Sequence, residues 1–302
     1  MVPPNLPIKR AHSLEGHSGS VLVVRFNKDG NYCLTGGSDK LIRLWNPRRG
    51  NFIKTYKGHG YEVLDIQVSS DNNKFVSCGG DKGVFLWDVS TGKVLRKLWG
   101  HASRINSVAL GADDSILASA SYDQTVRLWD CRSQSQEPAQ VLDDAKDSVT
   151  CVMVIETDVV ASSVDGRIRT YDVRMGRLLT DVINQPVTWM CLSNDRNCIL
   201  ITCLDDTLRL LEKQTGELLN EYRGLVCRDY KTESCLSRAD AYVVGASEDG
   251  KVYFWDLVEG NVVYNFQAHK KTISSIQYHP SETCMITSCV DGTVYVWRDQ
   301  VD

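Results

Sequence analysis

The chain has 302 residues, of which 24% are charged and 42% apolar; 34 basic against 38 acidic side chains leave a net charge of −4. This is the balance of an ordinary globular protein, and it excludes one that coats bare nucleic acid through its overall field. Residues 1–10 hold no long apolar core and no run of 18 apolar residues occurs, so neither a signal peptide nor a membrane span is expected. Eleven cysteines are scattered without a CxxC pair. An odd number of isolated thiols points to a reducing compartment, with no disulfide framework, no metal site and no cofactor.

In chain order, residues 8–16 have the character of an outer strand, like residues 52–58 and 94–100 further on. Gly16-His17 follows. Residues 21–26 (VLVVRF) form a β-branched run, residues 27–31 a turn, and Tyr32 opens the next strand. Ser38, Asp39 and Lys40 make a tight hairpin, a third strand ends at Trp45, residues 47–50 turn, and a fourth strand follows from Phe52. The unit then repeats. Gly-His recurs at His59 and His101, with Ala268-His269 near the end. Trp-Asp or a relative falls at Trp45, Trp87, Trp129, Tyr171, Leu211, Trp255 and Trp297, in steps of 42, 42, 42, 40, 44 and 42. Six residues before each stands an aspartate: Asp39, Asp81, Asp123, Asp165, Asp205, Asp249 and Asp291.

Seven four-strand units at this period define an all-β fold, a seven-bladed WD-repeat β-propeller. The last unit stops at Trp297, after its third strand. Residues 8–16 are therefore expected to supply its outer strand and close the ring from the other end of the chain. The expected organisation is a tail over residues 1–7, one propeller over 8–298 and a tail over 299–302.

Four units carry a histidine 22 residues before the aspartate, plus a hydroxyl and a tryptophan: His17, Thr35, Asp39, Trp45; His59, Ser77, Asp81, Trp87; His101, Ser119, Asp123, Trp129; His269, Thr287, Asp291, Trp297. A hydroxyl, an imidazole and a carboxylate could make a nucleophilic triad. Four copies in one repeat series point instead to a buried hydrogen-bond relay that runs from indole to carboxylate. Units four to six lack its members, with Ala161, Ile201 and Gly245 in the hydroxyl position, and are expected to rely on hydrophobic packing. No catalytic residue is assigned.

Side chains after each Gly-His or before each hairpin aspartate are the expected partner surface: Glu62, Leu64, Arg104, Tyr122, Lys146, Tyr230 and Glu248. Trp189 stands where other units hold Val23, Asp65, Ser107, Cys151 or Ser275; it either fills a gap in unit five or faces a partner. Turns between third and fourth strands carry Arg48, Arg49, Arg132, Arg174 and Arg177, a basic rim suited to an acidic protein or RNA.

Residues 29–35 (DGNYCLT), 44–47 (LWNP), 58–65 (GHGYEVLD) and 129–133 (WDCRS) resemble the mitogen-activated protein kinase organiser family of WD-repeat proteins. So do residues 163–167 (SVDGR), 206–211 (DTLRLL), 215–219 (TGELL) and 247–251 (SEDGK). The resemblance spans the chain and departs from the family in the 223–230 loop. It implies a non-enzymatic scaffold, monomeric within larger assemblies, whose partners are kinase-cascade components, spliceosomal proteins or both. RNA is a secondary contact and membrane is not a partner; nucleus and cytoplasm are the implied locations. The WDxR string at residues 129–132 raises the alternative of a substrate receptor for a cullin-based ubiquitin ligase.

Overall fold

The computed structural model describes residues 6–300; the outermost parts of the two expected tails, residues 1–5 and 301–302, lie outside the described residues. It contains only strands and turns: 28 strands in seven four-stranded antiparallel sheets, the blades of a seven-bladed β-propeller. The chain opens with β1 (Lys9–Ser13). Blade one follows as β2 (Val21–Phe26), β3 (Cys33–Gly37), β4 (Leu41–Asn46) and β5 (Asn51–Lys57). Blade two is β6 (Val63–Val68), β7 (Lys74–Gly79), β8 (Gly83–Asp88) and β9 (Val94–Trp99). Blade three is β10 (Ile105–Leu110), β11 (Ile116–Ser121), β12 (Val126–Asp130) and a short β13 (Gln140–Leu142). Blade four is β14 (Val149–Ile155), β15 (Asp158–Ser163), β16 (Arg167–Asp172) and β17 (Arg177–Val182). Blade five is β18 (Val187–Leu192), β19 (Cys198–Cys203), β20 (Thr207–Glu212) and β21 (Leu218–Arg223). Blade six is β22 (Ser234–Leu236), β23 (Tyr242–Ala246), β24 (Lys251–Asp256) and β25 (Val262–Gln267). Blade seven is β26 (Ile273–Tyr278), β27 (Cys284–Cys289) and β28 (Val294–Arg298), with β1 as its outer strand.

The chain divides into two compact units. One, drawn from Met1–Thr35, Arg43–Lys54 and Thr188–Asp302, carries blades five, six and seven and most of blade one. The other, Gly36–Ile42 and Thr55–Val187, carries blades two, three and four. In each, the apolar faces of successive blades meet. Leu14, Val24, Phe26 and Trp45 pack on Cys284, Ile286 and Val296 in the first unit. Val76, Val84 and Leu98 pack on Val108, Leu117 and Trp129 in the second. A four-stranded sheet has two apolar faces, so a blade is stable only between neighbours.

The innermost strand of each blade has an edge of backbone N–H groups that needs acceptors. Side chains two apart on the preceding blade supply them. Asp65 and Gln67 accept from the N–H groups of Val108 (3.1 Å) and Leu110 (2.7 Å). In the other unit Ser275 and Gln277 accept from those of Val24 (3.1 Å) and Phe26 (2.5 Å).

The N-terminal segment completes the last blade: β1 pairs antiparallel with β28, and the Leu14 N–H donates to the Val294 carbonyl at 2.9 Å. The packed chain begins before the expected tail boundary. Leu6 is buried in the cluster that holds Val244, Phe254 and Trp297, because an apolar side chain next to an open core loses more by staying in water than by ordering. Removal of residues 1–16 should therefore uncover the β28 edge and lose the Leu6 and Leu14 contacts. The truncated protein should unfold at lower temperature and aggregate; an unchanged melting curve with full solubility would contradict this role.

Candidate functional site: hairpin aspartates and the surface beside them

In blade two the Trp87 indole donates to Ser77 Oγ (2.8 Å), Ser77 donates to His59 Nε2 (2.6 Å), and His59 Nδ1 donates to Asp81. Asp81 also accepts the Gly60 N–H at 2.9 Å, which pins the loop after the histidine to the hairpin. Blade three repeats the chain with Trp129, Ser119, His101 and Asp123, each link 2.8–2.9 Å. In blade one Trp45 and His17 meet on Thr35 at 2.9 and 2.7 Å. The hydroxyls of Thr35, Ser77 and Ser119 are wholly buried and held between two ring nitrogens, so no substrate reaches them.

Blade seven departs from this plan. Trp297 and His269 Nε2 meet on Thr287, but His269 Nδ1 donates to the Thr293 hydroxyl (2.8 Å), and Thr293 in turn donates to Asp291 (2.6 Å). The ligand-type atoms of His269, Cys289 and Asp291 lie within 4.8 Å of one another. They are already committed: both imidazole nitrogens face hydroxyls, the thiol donates to the Lys271 carbonyl, and burial pushes the Cys289 thiol up to about 11. A metal would need the thiolate form.

Burial acts upward on the pKa of Asp123, yet the donors from His101, Thr125 and the Ala102 N–H outweigh it and hold the carboxyl well below the usual range. Burial, against a smaller pull from Asp291, drives the His269 imidazole down to about 4. It is therefore neutral in the fold at neutral pH.

The middle blades are not simply hydrophobic, which corrects the sequence expectation. In blade four Arg169 takes the place of the imidazole: its guanidinium lies 2.6 Å from Asp165 and 2.8 Å from Ser163 Oγ, with side chains only 3% and 10% exposed. Arg209 does the same for Asp205 in blade five at 2.6 Å and also pairs with Glu221 at 3.0 Å. In blade six Asp249 accepts the Lys251 N–H (3.0 Å) and the Tyr253 hydroxyl (3.3 Å), and the Trp255 indole donates to the Arg223 carbonyl (2.9 Å). Gly245 occupies the hydroxyl position because a Cβ there would stand 2.9 Å from the Trp255 ring. The residue four after the aspartate thus has two roles. In blades two and seven it is Phe85 or Tyr295, stacked flat on the histidine at 4.2 and 4.5 Å; in blades four and five it is the arginine that replaces the histidine.

Of the partner candidates, the second unit brings together Arg104 and Tyr122. The Tyr122 N–H donates to the Arg104 carbonyl at 3.0 Å, and the guanidinium lies 5.0 Å over the exposed phenol ring. Tyr61, which the sequence reading missed although it follows His59 by two residues, is similarly exposed, with the Lys40 ammonium 5.8 Å over its ring. Glu62 and Leu64 are half-buried, and Lys146 is exposed while its N–H donates to Asp165.

In the first unit Glu248 is occupied: one carboxylate oxygen accepts the N–H groups of Arg228, Asp229 and Tyr230 at 2.7–2.9 Å. It shapes the 223–230 loop and leaves Tyr230 exposed. Trp189 is half-buried, donates to the Ser234 carbonyl (3.0 Å) and lies between the Arg25 and Lys231 cations, each 4.9 Å from its ring. Beneath it Arg25 makes a two-pronged ion pair with Glu233, both bonds 2.8 Å, and Ser275 donates to the same carboxylate at 2.5 Å. Arg25 and Glu233 are 208 positions apart, and no local signal in the sequence joins them.

The basic rim is less continuous than expected. Arg48 is ion-paired with Glu282 from the adjacent blade, and Arg132 turns back onto Asp130 of its own turn at 3.4 Å. No described carboxylate pairs with Arg49, Arg174 or Arg177.

The repeated blade, the hairpin aspartate and the indole-to-carboxylate relay are those of a WD-repeat β-propeller. The WD domain, G-beta repeat model matches residues 8–46, 50–88, 92–130 and 260–298, the four stretches that carry the complete relay set, and the chain belongs to this family. It is 55% identical over 297 residues to WD repeat domain-containing protein 83 of Rattus norvegicus, covering 98% of this chain and 94% of that one. The Homo sapiens protein of the same name is 53% identical over 298 residues, covering 99% and 94%. A Dictyostelium discoideum homolog is 36% identical over 312 residues, covering 94% and 96%.

Two outcomes are expected. Asp81→Ala leaves a buried imidazole without its acceptor and should cost roughly 1–3 kcal/mol. Asp165→Ala leaves a buried guanidinium unpaired and should cost as much or more, about 3 kcal/mol. Urea unfolding of both variants checks this; a negligible loss at Asp165 would show that Arg169 does not replace the histidine. Secondly, His269 binds its proton near 6.5 when unfolded and near 4 when folded. Its contribution is complete above 6.5 and falls as pH drops through that window, by about 2 kcal/mol at pH 5. Thermal melts from pH 7 to 5 should show this loss, and His269→Gln should flatten the slope.

Proposed function

We propose that the protein is a non-enzymatic scaffold that assembles protein complexes, in kinase-cascade signalling, as a component of the pre-mRNA splicing machinery, or in both, in the nucleus and cytoplasm. The observation that carries the scaffold reading is the exposed Arg104–Tyr122 pair, with exposed Tyr61 in the same unit. These side chains stand beside hairpins that the His59 and His101 relays hold rigid. Arginine and tyrosine are favoured binding anchors, and an ordered surface loses little entropy when it binds. The buried, doubly bonded hydroxyls support the absence of chemistry. The particular assemblies are those implied by the resemblance to the mitogen-activated protein kinase organiser family. RNA contact is secondary in this reading.

Arg104→Ala combined with Tyr122→Ala should remove partner recovery in an affinity capture, while the melting temperature stays nearly unchanged. Kinases or splicing proteins should be among the partners lost. The matched control, Lys54→Ala with Arg96→Ala on outer strands, should recover them as the wild type does. Retention by the first variant and loss by the control would place binding on the outer strands instead. Recovery of a cullin adaptor as the principal partner would replace the scaffold reading by the ligase-receptor one.

A further inference from the structure

The outer strand of blade four combines three features that suit strand addition. First, its pairing with β16 runs for six residue pairs, from Asp172↔Arg177 to Arg167↔Val182, without a break. The pairings of β9, β21, β25 and β1 each contain a register shift, and β13 pairs over only three residues. Such irregularities protect an edge from strand addition, and β17 has none. Second, it exposes large apolar side chains: Leu178, Leu179 and Val182 on the strand and Met175 in the turn before it are between 40% and 63% exposed. Third, Arg177 at its start and Arg174 in the turn before it are exposed and meet no described carboxylate.

β17 is the last strand of its sheet, so the backbone groups on its far side point away from β16. A straight, apolar, unprotected edge with cations at one end is complementary to a strand with the opposite charge at the facing end. We propose that β17 is a docking edge for an extended segment of a partner protein, apolar along its length and acidic at its C-terminal end. The polarity follows from the pairing. Antiparallel addition is the stronger mode and sets the C-terminal end of the guest opposite Arg177. Asp181, at the other end of β17, repels a guest of reversed charge order. The guest would cover Leu178, Leu179 and Val182, which no described part of the chain covers. This surface is separate from the Arg104–Tyr122 pair, so the protein would hold two partners, or two parts of one, at once.

The test uses the full chain and two short peptides of alternating threonine and valine, one ending in two glutamates, the other in two lysines. Binding is read by fluorescence anisotropy and by amide hydrogen exchange of residues 177–182. The glutamate peptide should bind and slow exchange there. Leu179→Lys, at an exposed position, should weaken it by about tenfold or more. Arg174→Glu with Arg177→Glu should reverse the preference between the peptides. Absence of protection at 177–182, or binding indifferent to both variants, would overturn the proposal. So would an oligouridylate that binds through the arginines without regard to Leu179, which would make the rim a nucleic-acid surface. Self-association of the free protein that Leu179→Lys abolishes would make the occupant a second copy of the chain and would also overturn it.

Discussion

A carboxylate held at the tight hairpin between the second and third strands of every blade is the constraint on which the rest depends. Half-buried in six blades and exposed in blade seven, it gathers donors, and the arrangement fixes the loop before the blade, the third strand and the indole that fills the blade interface. Two solutions recur in neighbouring blades, and blades six and seven use variants of their own. In blades two and three an imidazole carries the hydrogen-bond chain inward to a hydroxyl and a tryptophan. In blades four and five an arginine four residues on meets the aspartate directly. The second is more local, since both partners sit on one hairpin, and it frees the preceding loop from any need for histidine. The 223–230 loop, which leads into blade six, also lacks Gly-His; there Asp249 accepts from Lys251 and Tyr253, and Glu248 organises the loop.

Between blades the same economy holds. Polar side chains on innermost strands cap the backbone of the next blade, and the Arg25–Glu233 pair reaches from blade one to blade six beside Ser275 of blade seven. An ion pair buried to this extent is stabilising only with full hydrogen bonding, and Ser275 and the Val24 carbonyl complete it. Trp189, the odd indole of blade five, roofs this network between two cations. In the sequence it could either fill a gap in blade five or face a partner; in the structure it is half-buried and bonded to the Ser234 carbonyl.

What was legible in the sequence was whatever repeats at a fixed offset. Seven aspartates six residues before the Trp-Asp positions gave the number of blades, and a missing fourth strand after Trp297 pointed to residues 8–16. The arginine substitution was hidden although its spacing is plain, because Asp39 and Asp123 are also followed four residues later by Arg43 and Arg127, in blades that keep the histidine. A pattern shared by both classes carries no information about which is in use. Blade seven hid its detour through Thr293 for the same reason: Thr125 holds the equivalent position in blade three, where the histidine reaches Asp123 directly. Contacts such as Arg25 with Glu233 were illegible because they join single, unrepeated residues far apart in the chain.

A rigid frame that leaves arginine and tyrosine exposed on one side and a bare strand edge on another fits a protein whose work is to hold others in place. The rigidity is the claim that supports the rest, and indole hydrogen exchange tests it most directly. The ring N–H protons of Trp45, Trp87, Trp129 and Trp297 should exchange only through global unfolding, at the rate of the slowest core amides, while that of half-exposed Trp99 exchanges freely. Relay indoles that exchange as fast as Trp99 under native conditions would mean that the hydroxyl–imidazole–carboxylate chain opens locally, and that the frame is not the fixed support described.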